Sequence, residues 1–130
     1  MLNQRQTLTA GALLGALGVA LGAFGAHAIK PTLMANQSLD TYELAVRYQF
    51  YHAFALLIVG LLMEKIENKT LMSAATCMIV GVALFSGSLY ALAFKTGKAI
   101  AFVTPIGGLF LIAGWVLLLI SVAELKTKKA

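Results

Sequence analysis

Charge is scarce in this chain. Only 12% of its 130 residues are Asp, Glu, Lys or Arg, about half of the roughly 25% that a water-facing domain carries. So thin a supply excludes a fully hydrated surface. Aspartate occurs once, at Asp40, which removes the paired aspartates of an intramembrane aspartyl protease. There is one cysteine, Cys77, so no intrachain disulfide forms, and its mid-helix place reads as a small packing residue. No basic run is interleaved with aromatics, so the net charge of +5 gives no nucleic-acid surface. The sequence has no G-x-S-x-G, H-E-x-x-H or P-loop pattern, and Ser86 or Ser88 with His52 rests on no motif. No enzyme is expected.

What is abundant is hydrocarbon: 60% of the residues are hydrophobic, with a mean hydropathy of +0.87. A bilayer core about 30 Å thick needs roughly 20 apolar residues per helix. Four stretches meet that length, at about 7–28, 44–63, 71–94 and 105–123, the second at the end of a helix starting near Asp40. The expected architecture is one all-α domain over 1–130, a four-helix transmembrane bundle.

Local signals mark the ends. Asp40 and Glu43 have the spacing of a capping box, Thr104-Pro105 suggests a cap followed by proline at the first helical position, and Gly97 is a stop signal. The first run also has Arg5 ahead of it and Ala26-His27-Ala28 behind it, an A-x-A cleavage pattern. The run is longer than a usual signal-peptide core and its glycines are ordered, which favours a retained span. With four spans both termini share a side. That side carries Arg5, Lys65, Lys69, Lys126, Lys128 and Lys129, against Lys30, Arg47, Lys95 and Lys98 on the other. The excess predicts cytoplasmic termini.

Gly11, Gly15, Gly18, Gly22 and Gly25 repeat at 4, 3, 4, 3 along one stripe of the first span. Glycine costs about 1 kcal/mol relative to alanine inside a helix in water, so five on one face predict close helix packing. The expected partner faces are Ala83, Gly87 and Ala91 on the third span and Gly107 and Gly114 on the fourth. Homo-oligomerisation or docking to another membrane protein is the alternative use.

Ionisable groups within a membrane are costly and face the bundle interior or water. Here they gather toward the non-cytoplasmic end, where His27, Arg47, Tyr48, Tyr51, His52 and Tyr90 form a candidate ligand site. His52 is the deepest, roughly 12 Å below Leu44 at 1.5 Å per residue. Its structural reading is a neutral imidazole bonded to Tyr48, to a serine or to a carbonyl, with Ser86, Ser88 and Tyr90 as candidate partners. The two histidines differ too much in depth to converge on a haem, and with one glutamate they make an incomplete metal set. No cofactor and no metal are expected.

Four ordered motifs carry a resemblance. Gly22-Ala-Phe-Gly-Ala-His-Ala28, Tyr48-Gln-Phe-Tyr-His52, Gly87-Ser-Leu-Tyr-Ala91, and Thr104-Pro-Ile-Gly-Gly108 followed by Ala113-Gly-Trp115 resemble the family known as domain of unknown function number 423. Its eukaryotic relatives are called transmembrane protein 256. The resemblance covers essentially the whole chain and implies a four-span protein of bacterial plasma membranes. It implies no activity, substrate or cofactor.

The leading expectation is a non-enzymatic accessory or scaffolding component. Its partners would be membrane lipids, with another membrane protein or a second copy of the chain. A site for a quinone, a lipid head group or a proton is the second reading, and a small oligomeric transporter or pore the third.

Overall fold

The computed structural model describes residues 1–125. Its helices are α1 (Gln4–Ala26), α2 (Lys30–Ala35), α3 (Leu39–Leu62), α4 (Lys69–Ala93) and α5 (Val103–Ala123), with a 3₁₀ turn at Lys98–Phe102 leading into α5. Four of them are long and apolar enough to cross a membrane. Lys126, Lys128 and Lys129, which contribute to the charge asymmetry, lie outside the described residues.

The ends are fixed by side chains. At α1, Asn3 and Gln6 make a reciprocal capping box: the Gln6 amide donates to Asn3 Oδ1 at 2.9 Å and the Asn3 amide to Gln6 Oε1 at 3.1 Å. At α4, Asn68 accepts from the Leu71 amide at 2.7 Å. The expected box at Asp40 and Glu43 does not form. Ser38 holds the cap position of α3 and its side chain caps nothing, because its hydroxyl donates to the Ala93 carbonyl at 2.6 Å. A cap group has thus been used to tie the start of α3 to the end of α4. Nor does Pro105 start its helix. The chain enters α5 through the 3₁₀ turn, two residues earlier, and Pro105 still sits in the first turn, where its missing N–H has no intrahelical partner to lose. Gly97 adopts φ +131°, a region open to glycine, between α4 and that turn. The short α2 lies in what read as a plain connection. Its Leu33, fully buried, packs with Tyr42 and Ala93.

Extended contacts run α1 on α3, α3 on α4 and α4 on α5, with no extended α5–α1 contact to close a ring. α3 and α4 are therefore the core and α1 and α5 the flanks. The buried share of the apolar window is 44% and 39% for α3 and α4 but 17% and 22% for α1 and the turn-α5 segment. Leu13, Leu17 and Val19 on α1, and Leu109, Ile112 and Leu119 on α5, are exposed. Such faces are compatible with hydrocarbon rather than water as solvent.

Candidate functional site

The five glycines of α1 divide into two groups. Gly11, Gly18 and Gly25 are buried against α3. A Cβ at Gly11 would stand 3.0 Å from the Ala53 carbonyl oxygen and from Leu57, one at Gly18 would stand 2.8 Å from the Phe50 ring, and one at Gly25 would run into Tyr42. Gly22 has room, with Val46 at 3.5 Å, and a Cβ at Gly15 would meet nothing within 4 Å. The tight partner is thus the bulky face of α3, where side chains fill the hollow left by glycine. The small faces expected to receive this stripe do other things. Ala83 and Gly87 are exposed on α4, and Gly87 too meets nothing within 4 Å. Gly107 and Gly114 pack against α4, facing Phe85 backbone and Met78, while Leu111 between them seats on Gly81.

The polar residues also separate. One group ties α1, α3 and α4 together. Buried Gln49 donates from Nε2 to the Leu14 carbonyl at 2.9 Å and accepts at Oε1 from the Tyr90 hydroxyl at 2.7 Å. Tyr42 donates to the Leu21 carbonyl, and its ring stands edge-on to Tyr90 at 5.3 Å. Ser86 donates to the Ala45 carbonyl at 2.8 Å. Each bond satisfies a group that the bilayer core would leave bare.

A second group joins α3 to α5. His52, 3% exposed, lies about halfway along the 24 residues of α3. Its Nε2 accepts from the Trp115 indole N–H at 3.1 Å, and its Nδ1 lies 2.7 Å from the Tyr48 carbonyl oxygen. A ring whose Nε2 accepts is the neutral tautomer with hydrogen on Nδ1, so Nδ1–H donates to Tyr48. Both nitrogens are therefore engaged. The expected partners Ser86, Ser88 and Tyr90 are committed elsewhere, Ser88 to Thr104 across the α4–α5 contact at 2.6 Å. The Tyr48 ring stacks on His52 at 6.2 Å and lies tilted to Tyr51 at 5.6 Å.

The structure thus brings Tyr48, Tyr51 and His52 together and leaves the other three candidates apart. Tyr90 belongs to the Gln49 group. Arg47 and His27 are exposed, His27 at the C-terminal cap of α1. No single site of six forms, because residues close in depth point from α3 toward different neighbours. Tyr48, Tyr51 and His52, with Phe54, Ile58 and Trp115, line a groove of about 480 Å³. Trp115 belongs to the fourth motif but was not among the expected site residues. Its signal was present: the chain's single tryptophan lies in mid-span, whereas membrane tryptophans favour the interfaces. Among the described residues no three His, Cys, Asp or Glu side chains come together as a metal set, and every buried side-chain polar atom has a partner.

Residues 21–108 match the family described as Protein of unknown function (DUF423). The chain is 40% identical over 111 residues to a UPF0382 membrane protein of Staphylococcus haemolyticus, covering 85% of this chain and 89% of that one. It is 41% identical over 109 residues to a UPF0382 membrane protein of Haemophilus influenzae, covering 84% and 86%. Against the UPF0382 inner membrane protein YgdD of Escherichia coli the figure is 36% over 127 residues, covering 98% and 96%. No solved structure matches the chain.

Proposed function

This chain belongs to DUF423, a family of unknown function whose relatives are membrane proteins of bacteria, and from that premise we propose that it acts as a non-enzymatic helix-docking component. Its setting is the bacterial inner membrane, as a multi-pass protein. One observation carries the reading: Gly15 on α1 and Gly87 on α4 would each meet nothing if given a Cβ. Mid-helix glycine is unfavourable unless something comes close. Gly11, Gly18, Gly107 and Gly114 repay that cost inside the protein; Gly15 and Gly87 do not. Beside exposed Ala83, Gly87 offers a small-x-x-x-small surface to a transmembrane helix of another protein or of a second copy. Lipid covers the outer faces of α1 and α5.

The absence of catalysis is supported by how the reactive side chains are used. His52 has both nitrogens in helix bridging, and Ser86 and Ser121 donate to backbone carbonyls. Retention of α1 is supported in the same way, since removing residues 1–28 would orphan Gln49 Nε2 and the Tyr42 hydroxyl. Lysine and arginine asymmetry supports cytoplasmic termini; a fluorescent C-terminal green fluorescent protein fusion is the matching observation.

The test is site-specific photocrosslinking in native membranes from position 83. A discrete protein adduct is expected, lost in Gly87→Leu while that variant unfolds at the wild-type temperature. Adducts to lipid alone, or a protein adduct indifferent to Gly87→Leu, would remove the proposal.

A further inference from the structure

Between α3 and α5 the groove is lined by two tyrosines whose hydroxyls the protein does not use. Of the four tyrosines, Tyr42 and Tyr90 donate within the bundle. The hydroxyls of Tyr48 and Tyr51 have no partner among the described residues, and Tyr51 is 53% exposed. Tyr48 and Tyr51 follow Leu44, where the apolar stretch of α3 begins, by four and seven residues, roughly 6 and 10 Å at 1.5 Å per residue. A hydroxyl left unpaired in hydrocarbon is unfavourable by several kcal/mol. An occupant that supplies an acceptor would relieve this.

The walls narrow the chemistry. Tyr48, Tyr51, Phe54 and Trp115 offer aromatic faces, which suit a flat ring. The only ionisable group in the lining besides the tyrosines is His52, whose nitrogens are both engaged, so the groove offers no counter-charge and the occupant is neutral. A volume of about 480 Å³ falls within the roughly 300–1,000 Å³ of small-molecule sites. A phospholipid does not fit these requirements. To meet Tyr51 its carbonyls and phosphate would have to move roughly 10 Å in from the edge of the core, and its acyl chains hold no acceptor.

We propose that this groove binds a neutral carbonyl-bearing ring on an apolar tail, the chemistry of a membrane quinone, with the Tyr48 and Tyr51 hydroxyls donating to its oxygens. The ring enters sideways from the bilayer, because Tyr51, Phe54, Ile58 and Trp115 are all exposed there. The site is separate from the small-residue surface of Ala83 and Gly87, so either can fail without the other. Binding alone is proposed, with no electron transfer.

Trp115 is the only tryptophan and stands on the wall of the groove, so it reports occupancy directly. The experiment is a titration of decylubiquinone into nanodiscs holding the full chain, read by tryptophan emission. Saturable quenching is expected. Tyr51→Phe, which keeps the ring and removes the donor, should raise the half-saturating mole fraction about five- to tenfold, the equivalent of one hydrogen bond. Decylbenzene, with the tail but no carbonyl, should not displace the quinone. If Tyr51→Phe loses helicity, Tyr48→Phe makes the same comparison. Quenching that rises linearly with quinone and is equal in wild type and variant would overturn the proposal, as would equal displacement by decylbenzene. A Tyr51-dependent dimer by native mass spectrometry without saturable quenching would assign the groove to a second copy and overturn it as well.

Discussion

Substituting Gly107 by alanine tests the glycine whose Cβ position comes nearest to the backbone of another helix. The new Cβ would run into the Phe85 amide nitrogen and stand 2.8 Å from Phe85 Cα and 2.9 Å from the Leu84 carbonyl carbon. These are backbone atoms in mid-helix, so no rotamer change makes room. Carbon atoms rest at about 3.5–4.0 Å, so α5 must retreat from α4 by roughly 0.7–1 Å. A gap of that size removes about a quarter to a half of each pair energy, which is about 0.1–0.2 kcal/mol per atom pair. Leu111, one turn along, is seated on Gly81 and is 4% exposed; a buried leucine makes about 40–60 such contacts. The product runs from about 1 to 6 kcal/mol, and because only part of the Leu111 contacts face α4 the expected loss is about 1–3 kcal/mol, the range of overpacking in soluble cores. Gly87→Ala is the control: nothing lies within 4 Å, so it should be neutral or stabilise by up to about 1 kcal/mol through helix propensity. Reversible unfolding in mixed micelles, followed by helicity across a dodecyl sulfate series, measures both. Equal stability of the two variants, in either direction, would refute the reading that backbone proximity at Gly107 sets the α4–α5 contact.

The bridge between His52 and Trp115 should appear as coupling. In a double-mutant cycle of His52→Phe and Trp115→Phe, measured by the same unfolding series, about 0.5–1.5 kcal/mol of interaction energy is expected, and a cycle that closes additively would show the bond to be absent in the membrane. Gln49→Leu removes the side-chain tie to the Leu14 carbonyl and leaves the Tyr90 hydroxyl without a partner at once. It should cost about 1–3 kcal/mol, more than Tyr90→Phe, and an unchanged unfolding midpoint would count against the three-helix tie.

The candidate site was half legible. The polar cluster of α3 stood out because Tyr48, Gln49, Tyr51 and His52 interrupt an apolar run. The sequence gives no means of telling which neighbour each would face. Successive residues on a helix turn about 100° apart, so Gln49 meets α1 and α4 while His52 meets α5. Tyr90 and Tyr48 therefore ended in different groups despite their shared character. Trp115 was concealed by its distance along the chain from its partner: its bond to His52 spans 63 positions. The glycine stripe shows the same division. Its spacing announced close packing, but only the bulk of Phe50 and Tyr42 on α3 decided which glycines are filled against and which stay open.

Four membrane-length helices follow from the sequence by itself. Hydropathy is a local sum, and a bilayer about 30 Å thick reads it segment by segment without reference to the rest of the chain. The same locality explains why the caps at Asn3 and Asn68 are made by near neighbours in sequence. Tertiary structure alone decided the order α1–α3–α4–α5, the small surface left open on α4 and the groove at Tyr51. Each depends on where two helix surfaces cross, which is set by side-chain shape between residues far apart in the chain and is carried by no single segment.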